Sequence, residues 1–191
     1  MSNKEFIKNI LDEHIITVEE LYNSEINKIS TICDQVIEVV KNNNTIFFCG
    51  NGGSAADSQH VAAELVGRFE IERKPLKAIA LTVDTSILTC ISNDYKFDEI
   101  FSRQLEAIAS EGDYLIAFST SGKSKNIINV LKKAKEKGVK TCSLLGKDGG
   151  EAKSISDISL IISSKSTARI QEAHILVSHI ICSAIDRADC Y

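Results

Sequence analysis

The stretch TIFFCGNGGSAADSQHVAAELVGRF, residues 45–69, decides the fold. Its first five residues form a short apolar run between the polar Asn42, Asn43 and Asn44 and the turn residue Gly50, which is the pattern of a buried strand. Gly50-Asn51-Gly52-Gly53-Ser54 follows, a turn whose three glycines reach backbone angles that other residues avoid. From Ser54 onward the pattern becomes helical, with Val61, Leu65 and Arg68 at helical spacing. Strand, glycine turn and helix start in succession make an anion site. The first-turn N–H groups have no partner inside the helix, and the helix dipole adds partial positive charge there. His60 and Glu64, four residues apart, share one face of the same helix. One element therefore offers a cradle for a phosphate at its start and a His/Glu pair a turn or two later. Read alone, a glycine turn can serve only to reverse the chain, and a His/Glu pair is more often a solvated face.

The whole chain bounds the answer. Its 191 residues, 43% of them hydrophobic, suffice for one domain with a real core. Charged residues make up 25% and the net charge is −4, so composition implies no basic surface for nucleic acid. No apolar run approaches the roughly 20 residues of a membrane span. The first residues, MSNKEFIKNILDEH, are charged and amphipathic and lack the apolar centre of a signal peptide, so a cytoplasmic protein is expected. Six cysteines, at 33, 49, 90, 142, 182 and 190, form no CxxC pair. They read as small buried hydrophobes, not as disulfides or metal ligands.

Residues 4–22 and 25–41 carry two apolar stripes, Phe6 to Leu21 and Ile29 to Val40, and read as two amphipathic helices. The first has no partner visible in the sequence, which points to docking against another subunit. Further apolar runs at 76–81, 113–118, 139–145 and 158–162 read as strands, and 84–92, 97–109, 125–137 and about 167–189 as helices, with 92–95 as a polar break. This β/α alternation predicts a five-stranded, mostly parallel sheet with helices on both faces. The domain reading is a single unit, with a helical pair over 1–43 and an α/β core with a C-terminal helix over 44–191.

The third strand runs into Ser119-Thr120-Ser121-Gly122-Lys123-Ser124, again strand, small polar turn and helix. Hydroxyls and backbone N–H groups can converge there on one anion, though the GxxxxGK[ST] spacing of a Walker loop is absent. Ligands in parallel α/β sheets sit at the strands' carboxyl ends, so binding is favoured over simple helix capping. Asn93 and Asp94 suit either capping or sugar hydroxyls. The last helix carries Gln171, Glu172, His174 and His179. At about 100° per residue, Glu172 aligns with His179, whereas Gln171 groups with His174 and Ser178.

Taken together, GNGGSAADSQHVAAEL, SNDY, FSTSGKS and TARIQEAHILVSHI resemble the sedoheptulose 7-phosphate isomerase (phosphoheptose isomerase) family of sugar-isomerase (SIS) domain proteins. The match runs in order from about residue 45 to 186, and the combination of QHxxxE with RIQExH is its most specific part. The resemblance implies one SIS domain assembled as a homotetramer with active sites shared between subunits. It implies zinc, one ion per subunit, held by His60, Glu64, Gln171 and His179. It makes Asn51, Gly52, Gly53, Ser54, Glu64, Asn93, Asp94, Ser119, Thr120, Ser121, Ser124 and Gln171 substrate contacts, with Glu64 and His179 the acid–base pair. Gln171 takes the place that periodicity assigns to Glu172. Arg68 and Arg169 stand near the two motifs without an assigned role. The implied reaction converts sedoheptulose 7-phosphate to D-glycero-D-manno-heptose 7-phosphate, for lipopolysaccharide or capsule heptose. The main alternative is a regulator that binds the replication initiator protein, since such relatives share much of both motifs. A sugar-phosphate sensor and an isomerase of another sugar phosphate are further alternatives.

Overall fold

The computed structural model of the chain describes residues 1–188. The expected position of Cys190 and the last residue of the C-terminal helix fall outside them. Helix α1 spans Asn3–Lys41, strand β1 Ile46–Cys49, α2 Gly53–Val66, β2 Ala78–Ala80 and α3 Thr85–Asp94. A 3-10 turn at Phe97–Glu99 leads to α4, Ser102–Ile108. Then come β3 Tyr114–Ser119, α5 Lys125–Glu136, β4 Lys140–Gly146, the one-turn α6 Ala152–Ile155, β5 Ile158–Ile162 and α7 Thr167–Ala188.

The five strands are all parallel, in the order β2-β1-β3-β4-β5. Side chains alternate across the sheet as the period of two requires. Ile46 and Phe48 of β1, with Tyr114, Ile116 and Phe118 of β3, join the core under α1, α2 and α7. Phe47, Cys49, Leu115 and Ala117 face the opposite core, beneath α4 and α5. Both faces are covered, which is why the strands read as continuous apolar runs.

Two expectations change. The leading pair of helices is one unbroken helix of 39 residues. The polar segment at 22–25 contains neither Gly nor Pro, and the Ser24 hydroxyl donates back to the Glu20 carbonyl at 2.6 Å, so it is satisfied without leaving the helix. Its start is a capping box: Glu5 N–H donates to Ser2 Oγ and Ser2 N–H to Glu5 Oε2. The helix expected over 97–109 is a 3-10 turn followed by the short α4, and α3 runs on through the expected break to Asp94. Of the cysteines, 33, 49, 142 and 182 are buried and free, but Cys90 is exposed.

The switch in strand order falls between β1 and β3. From β1 the chain leaves to α2 on one face, and from β3 to α5 on the other, so a crevice opens at the carboxyl ends of these two strands. Ligands of such sheets collect there.

Candidate active site

The loops after β1 and β3 meet across this crevice. Asn51 of the first and Asn126 in the first turn of α5 exchange two amide hydrogen bonds, of 2.9 and 2.8 Å. Asn126 is buried and had no signal in the sequence, because its partner lies 75 residues away. Below the pair, Gly50, Asn51 and Gly52 line a cleft of about 170 Å³ closed on its other side by Leu88, Phe97 and Phe101.

The serine loop is shaped from within. The Ser119 hydroxyl, buried at the end of β3, accepts the Gly122 N–H at 3.0 Å. Gly122 has φ +63°, and a Cβ there would sit 1.9 Å from the Gly149 carbonyl oxygen, so only glycine fits. Ser121 Oγ accepts the Lys123 N–H at 3.2 Å. Ser124 occupies the N-cap position of α5, yet its side chain makes no capping bond. Its hydroxyl and the half-buried Thr120 stand at the start of α5, the end of a helix that favours negative charge.

On the other side of the crevice α2 packs against α7. His60 Nε2 lies 2.9 Å from His179 Nε2, and Glu64 Oε1 lies 3.4 Å from the same His60 nitrogen. The pairing of residues 119 positions apart is possible because Val61 and Leu65 of α2 and Ala173, Val177 and Ile181 of α7 bury their apolar faces in one core. Phe69 stacks on the His179 ring, with centroids 5.4 Å apart and planes 30° apart. Gln171 reaches the start of α2: a Cβ on Gly53 would lie 2.3 Å from its amide nitrogen, so glycine at 53 makes room for it. Ser54 is buried in the first turn of α2. Asp57, one turn before His60, was not singled out in the sequence, although its i, i+3 spacing to His60 was available. Its Oδ2 is buried and has no hydrogen-bond partner among the described residues; burial raises its pKa, against an opposing pull from His60.

Glu172 does not pair with His179. It accepts from Arg169 and lies 2.7 Å from His14 Nδ1 on α1, while Arg169 also donates to the Ile10 carbonyl at 3.0 Å. Burial acts to raise the Glu172 pKa, but the bonds from Arg169 and His14 outweigh it and the net shift is downward. Seven residues bring Glu172 and His179 to one side of α7 but separate them by roughly 10 Å along the axis, where different helices pack. His174 is fully buried, with Nε2 3.2 Å from the Leu145 carbonyl, and burial lowers its pKa to about 4. It is a neutral core histidine.

Asn93 and Asp94 are exposed in the last turn of α3. Among the described residues their side chains bond to each other and to Cys90. Arg68 is exposed, 3.9 Å from the Glu72 carboxylate. Among the described residues no group of three or more His, Cys, Asp and Glu side chains is gathered as a metal site. What is gathered is a pair of facing imidazoles with Glu64 beside one of them.

Residues 10–146 match the SIS domain family. A phosphoheptose isomerase of Nitratiruptor sp. is 51% identical over 187 residues, covering 96% of this chain and 98% of its own length. The solved phosphoheptose isomerase of Neisseria gonorrhoeae superposes with a TM-score of 0.91 at 39% identity, over 97% of this chain and 100% of the other. That of Francisella tularensis gives 0.94 at 34% identity, over 98% and 100%. The chain belongs to the phosphoheptose isomerases of the SIS domain family.

Proposed function

We propose that this chain is an aldose–ketose isomerase that converts sedoheptulose 7-phosphate to D-glycero-D-manno-heptose 7-phosphate. The observation that carries the reading is the meeting of His60, Glu64 and His179 at the α2–α7 contact. The loop of Ser119, Thr120, Ser121 and Ser124 would hold the phosphate, and the chemistry would occur at the far end of the sugar. Asn51, Gly52, Gly53 and Ser54 would contact the sugar between these ends. Asn93 and Asp94 would reach the sugar hydroxyls from α3.

The reaction moves one proton between neighbouring carbons. Glu64 takes the proton from C1 of the ketose, and the electron pair left behind forms the C1–C2 double bond. The C2 carbonyl oxygen meanwhile takes a proton from His179, giving an enediol. In the second half Glu64 returns its proton to C2, and the C1 hydroxyl gives its proton to His179, leaving the aldehyde. Both groups end as they began, as general acid–base catalysis requires. Phosphate binding contributes by fixing C1 against Glu64.

Zinc belongs to this proposal. Tetrahedral zinc with bonds of about 2.0–2.1 Å needs ligand atoms roughly 3.3 Å apart. The Glu64–His60 separation of 3.4 Å fits, and the imidazole separation of 2.9 Å is within a few tenths. Two imidazoles, a carboxylate and the Gln171 amide oxygen are a suitable donor set. Bound there, zinc would supply Lewis-acid polarisation of the substrate carbonyl, and His179 Nε2 and Glu64 would have to leave the metal to carry protons, since a lone pair bound to the metal takes none.

A homotetramer with shared sites is likewise proposed. The first half of α1 leaves Phe6, Ile7, Leu11, Ile15 and Ile16 each more than half exposed, and grooves of about 530 and 560 Å³ flank α1. Apolar surface of this extent calls for a partner. No described helix is long and apolar enough to cross a membrane. The product would enter heptose synthesis for lipopolysaccharide or capsule. The regulator alternative gains no support from relatives that are named isomerases.

The test is incubation of zinc-loaded protein with sedoheptulose 7-phosphate in D₂O, followed by NMR. An aldose 7-phosphate signal that is lost in His179→Gln is expected, with deuterium at C2 if the enediol exchanges with solvent. No conversion by an intact oligomer would overturn the isomerase reading.

A further inference from the structure

The chemistry proposed above needs two helices held in one register, and apolar packing alone is non-directional and resists sliding poorly. A buried ion pair lies beside the contact. The Arg73 side chain is 0% exposed and that of Asp186, on α7, 4%. Arg73 Nη2 donates to the carbonyl of Glu64 itself at 2.7 Å, and Nη1 to that of Leu65 at 2.8 Å. These are carbonyls of the last turn of α2, which lack partners inside the helix, and a cation at a helix C-terminus also matches its dipole. Arg73 Nε donates to Asp186 Oδ1 at 2.9 Å.

The second carboxylate oxygen of Asp186 accepts the N–H groups of Glu70 and Ile71, at 2.9 and 3.3 Å. The loop from α2 is thereby tied to α7, and Phe69, next to the gripped Glu70, is laid on the His179 ring. Asp186 follows His179 by seven residues, so the two share one side of α7. The Asp186 carboxyl is held as an anion: burial opposes this, but the Glu70, Arg73 and Ile71 bonds prevail and lower its pKa.

We propose that Arg73 and Asp186 are positioning residues, which lock α2 to α7 in the register that brings His60 and Glu64 to His179. Arg73 holds the backbone of Glu64, and Asp186 holds α7 together with the loop that orients His179 through Phe69. The proposal rests on the reading of His60, Glu64 and His179 as the reacting and metal-holding groups.

Three variants test it: Arg73→Lys, Asp186→Asn and the double change Arg73→Met with Asp186→Leu. The readouts are kcat and KM for sedoheptulose 7-phosphate, the affinity for cobalt(II) followed by its visible d–d absorption, and the Tm of the metal-free protein. A small misplacement of reacting groups is expensive, so kcat should fall about 10- to 100-fold in each variant with KM changed about twofold or less. Cobalt affinity should fall about 10-fold, the lower end of what lost support around a metal site costs. Apolar replacement of a buried ion pair often restores stability, but here it leaves the Glu64 and Leu65 carbonyls and the Glu70 and Ile71 N–H groups without these partners, so the double variant should regain only part of the Tm and neither kcat nor cobalt affinity. Recovery of all three together would make the pair structural only and overturn the proposal. So would an unchanged kcat and cobalt affinity in Arg73→Lys, the mildest change. Wild-type turnover without cobalt binding would remove the metal reading alone, leaving kcat to judge the pair. Cobalt binding without turnover would remove the isomerase reading alone, leaving cobalt affinity to judge it.

Discussion

The two sides of the crevice are built on different principles. The β3–α5 side is mostly local: Ser119, Ser121, Gly122 and Ser124 lie within six consecutive residues, and the Ser119 and Ser121 hydroxyls accept the Gly122 and Lys123 N–H groups, with Gly149 and the Ala152 N–H closing on Gly122 from outside. The α2–α7 side is distant: His60 and His179 stand 119 residues apart and meet only through helix packing. As the proposed phosphate site, the local side would depend less on distant contacts than the other. The distant side owes its geometry to every contact between two helices. Binding and chemistry should therefore separate under mutation, and a failure to separate would break the comparison.

The largest effect is expected on the distant side. Glu64→Gln and His179→Gln should each lower kcat by about 10³-fold or more with little change in KM, since each removes a proton-transfer group. Steady-state kinetics on protein that still elutes as the wild-type oligomer checks this. Substantial residual turnover would remove the acid–base assignment.

A smaller effect of the opposite kind is expected on the local side. Ser124→Ala should raise KM about 10-fold and change kcat less, because Ser124 makes no capping bond and its hydroxyl is the proposed phosphate contact. Ser119→Ala should raise KM as well, and should also lower Tm, because its hydroxyl accepts the Gly122 N–H from a buried position. An unchanged KM with a collapsed kcat in either variant would erase the distinction between the two sides.

The smallest effect concerns stability alone. His174 reaches from α7 to the Leu145 carbonyl of β4 and stays neutral in the fold, with its pKa lowered from 6.5 to about 4. Below pH 6.5 the unfolded chain takes up a proton there that the folded chain does not. The associated stability is present above pH 6.5 and is lost as the pH falls towards 4, by about 3 kcal/mol in all. Tm measured between pH 7 and 4 should fall less steeply in His174→Gln than in the wild type. An equal slope would mean that other groups carry the acid sensitivity.

How far the sequence could be read follows from the range of the interactions. The strands over 46–49 and 158–162 and the glycine and serine turns were legible, because apolar runs and turn residues act over a few positions. The break expected near residue 22 was misleading. Ser24 resembles a helix end by composition, but its hydroxyl is satisfied inside the helix, a choice that composition does not encode. The partner of Glu172 was not legible either, since His14 lies 158 residues away on α1. Nor was the role of Arg73, which looks like an ordinary charge in the segment ERKPL until Asp186, 113 residues later, is packed beside it.

The β/α alternation, the two strand–turn–helix segments and, through its motifs, the family can be read along the chain alone. The tertiary contacts alone bring together the residues far apart in the chain: His60 with His179, Asn51 with Asn126, Gln171 with Gly53, and Arg73 with Asp186. The physical reason is that backbone propensity and hydrophobic period act along the chain. The contacts of a site spanning α2, α5 and α7 arise only once the apolar faces of those helices are buried on the two sides of one sheet.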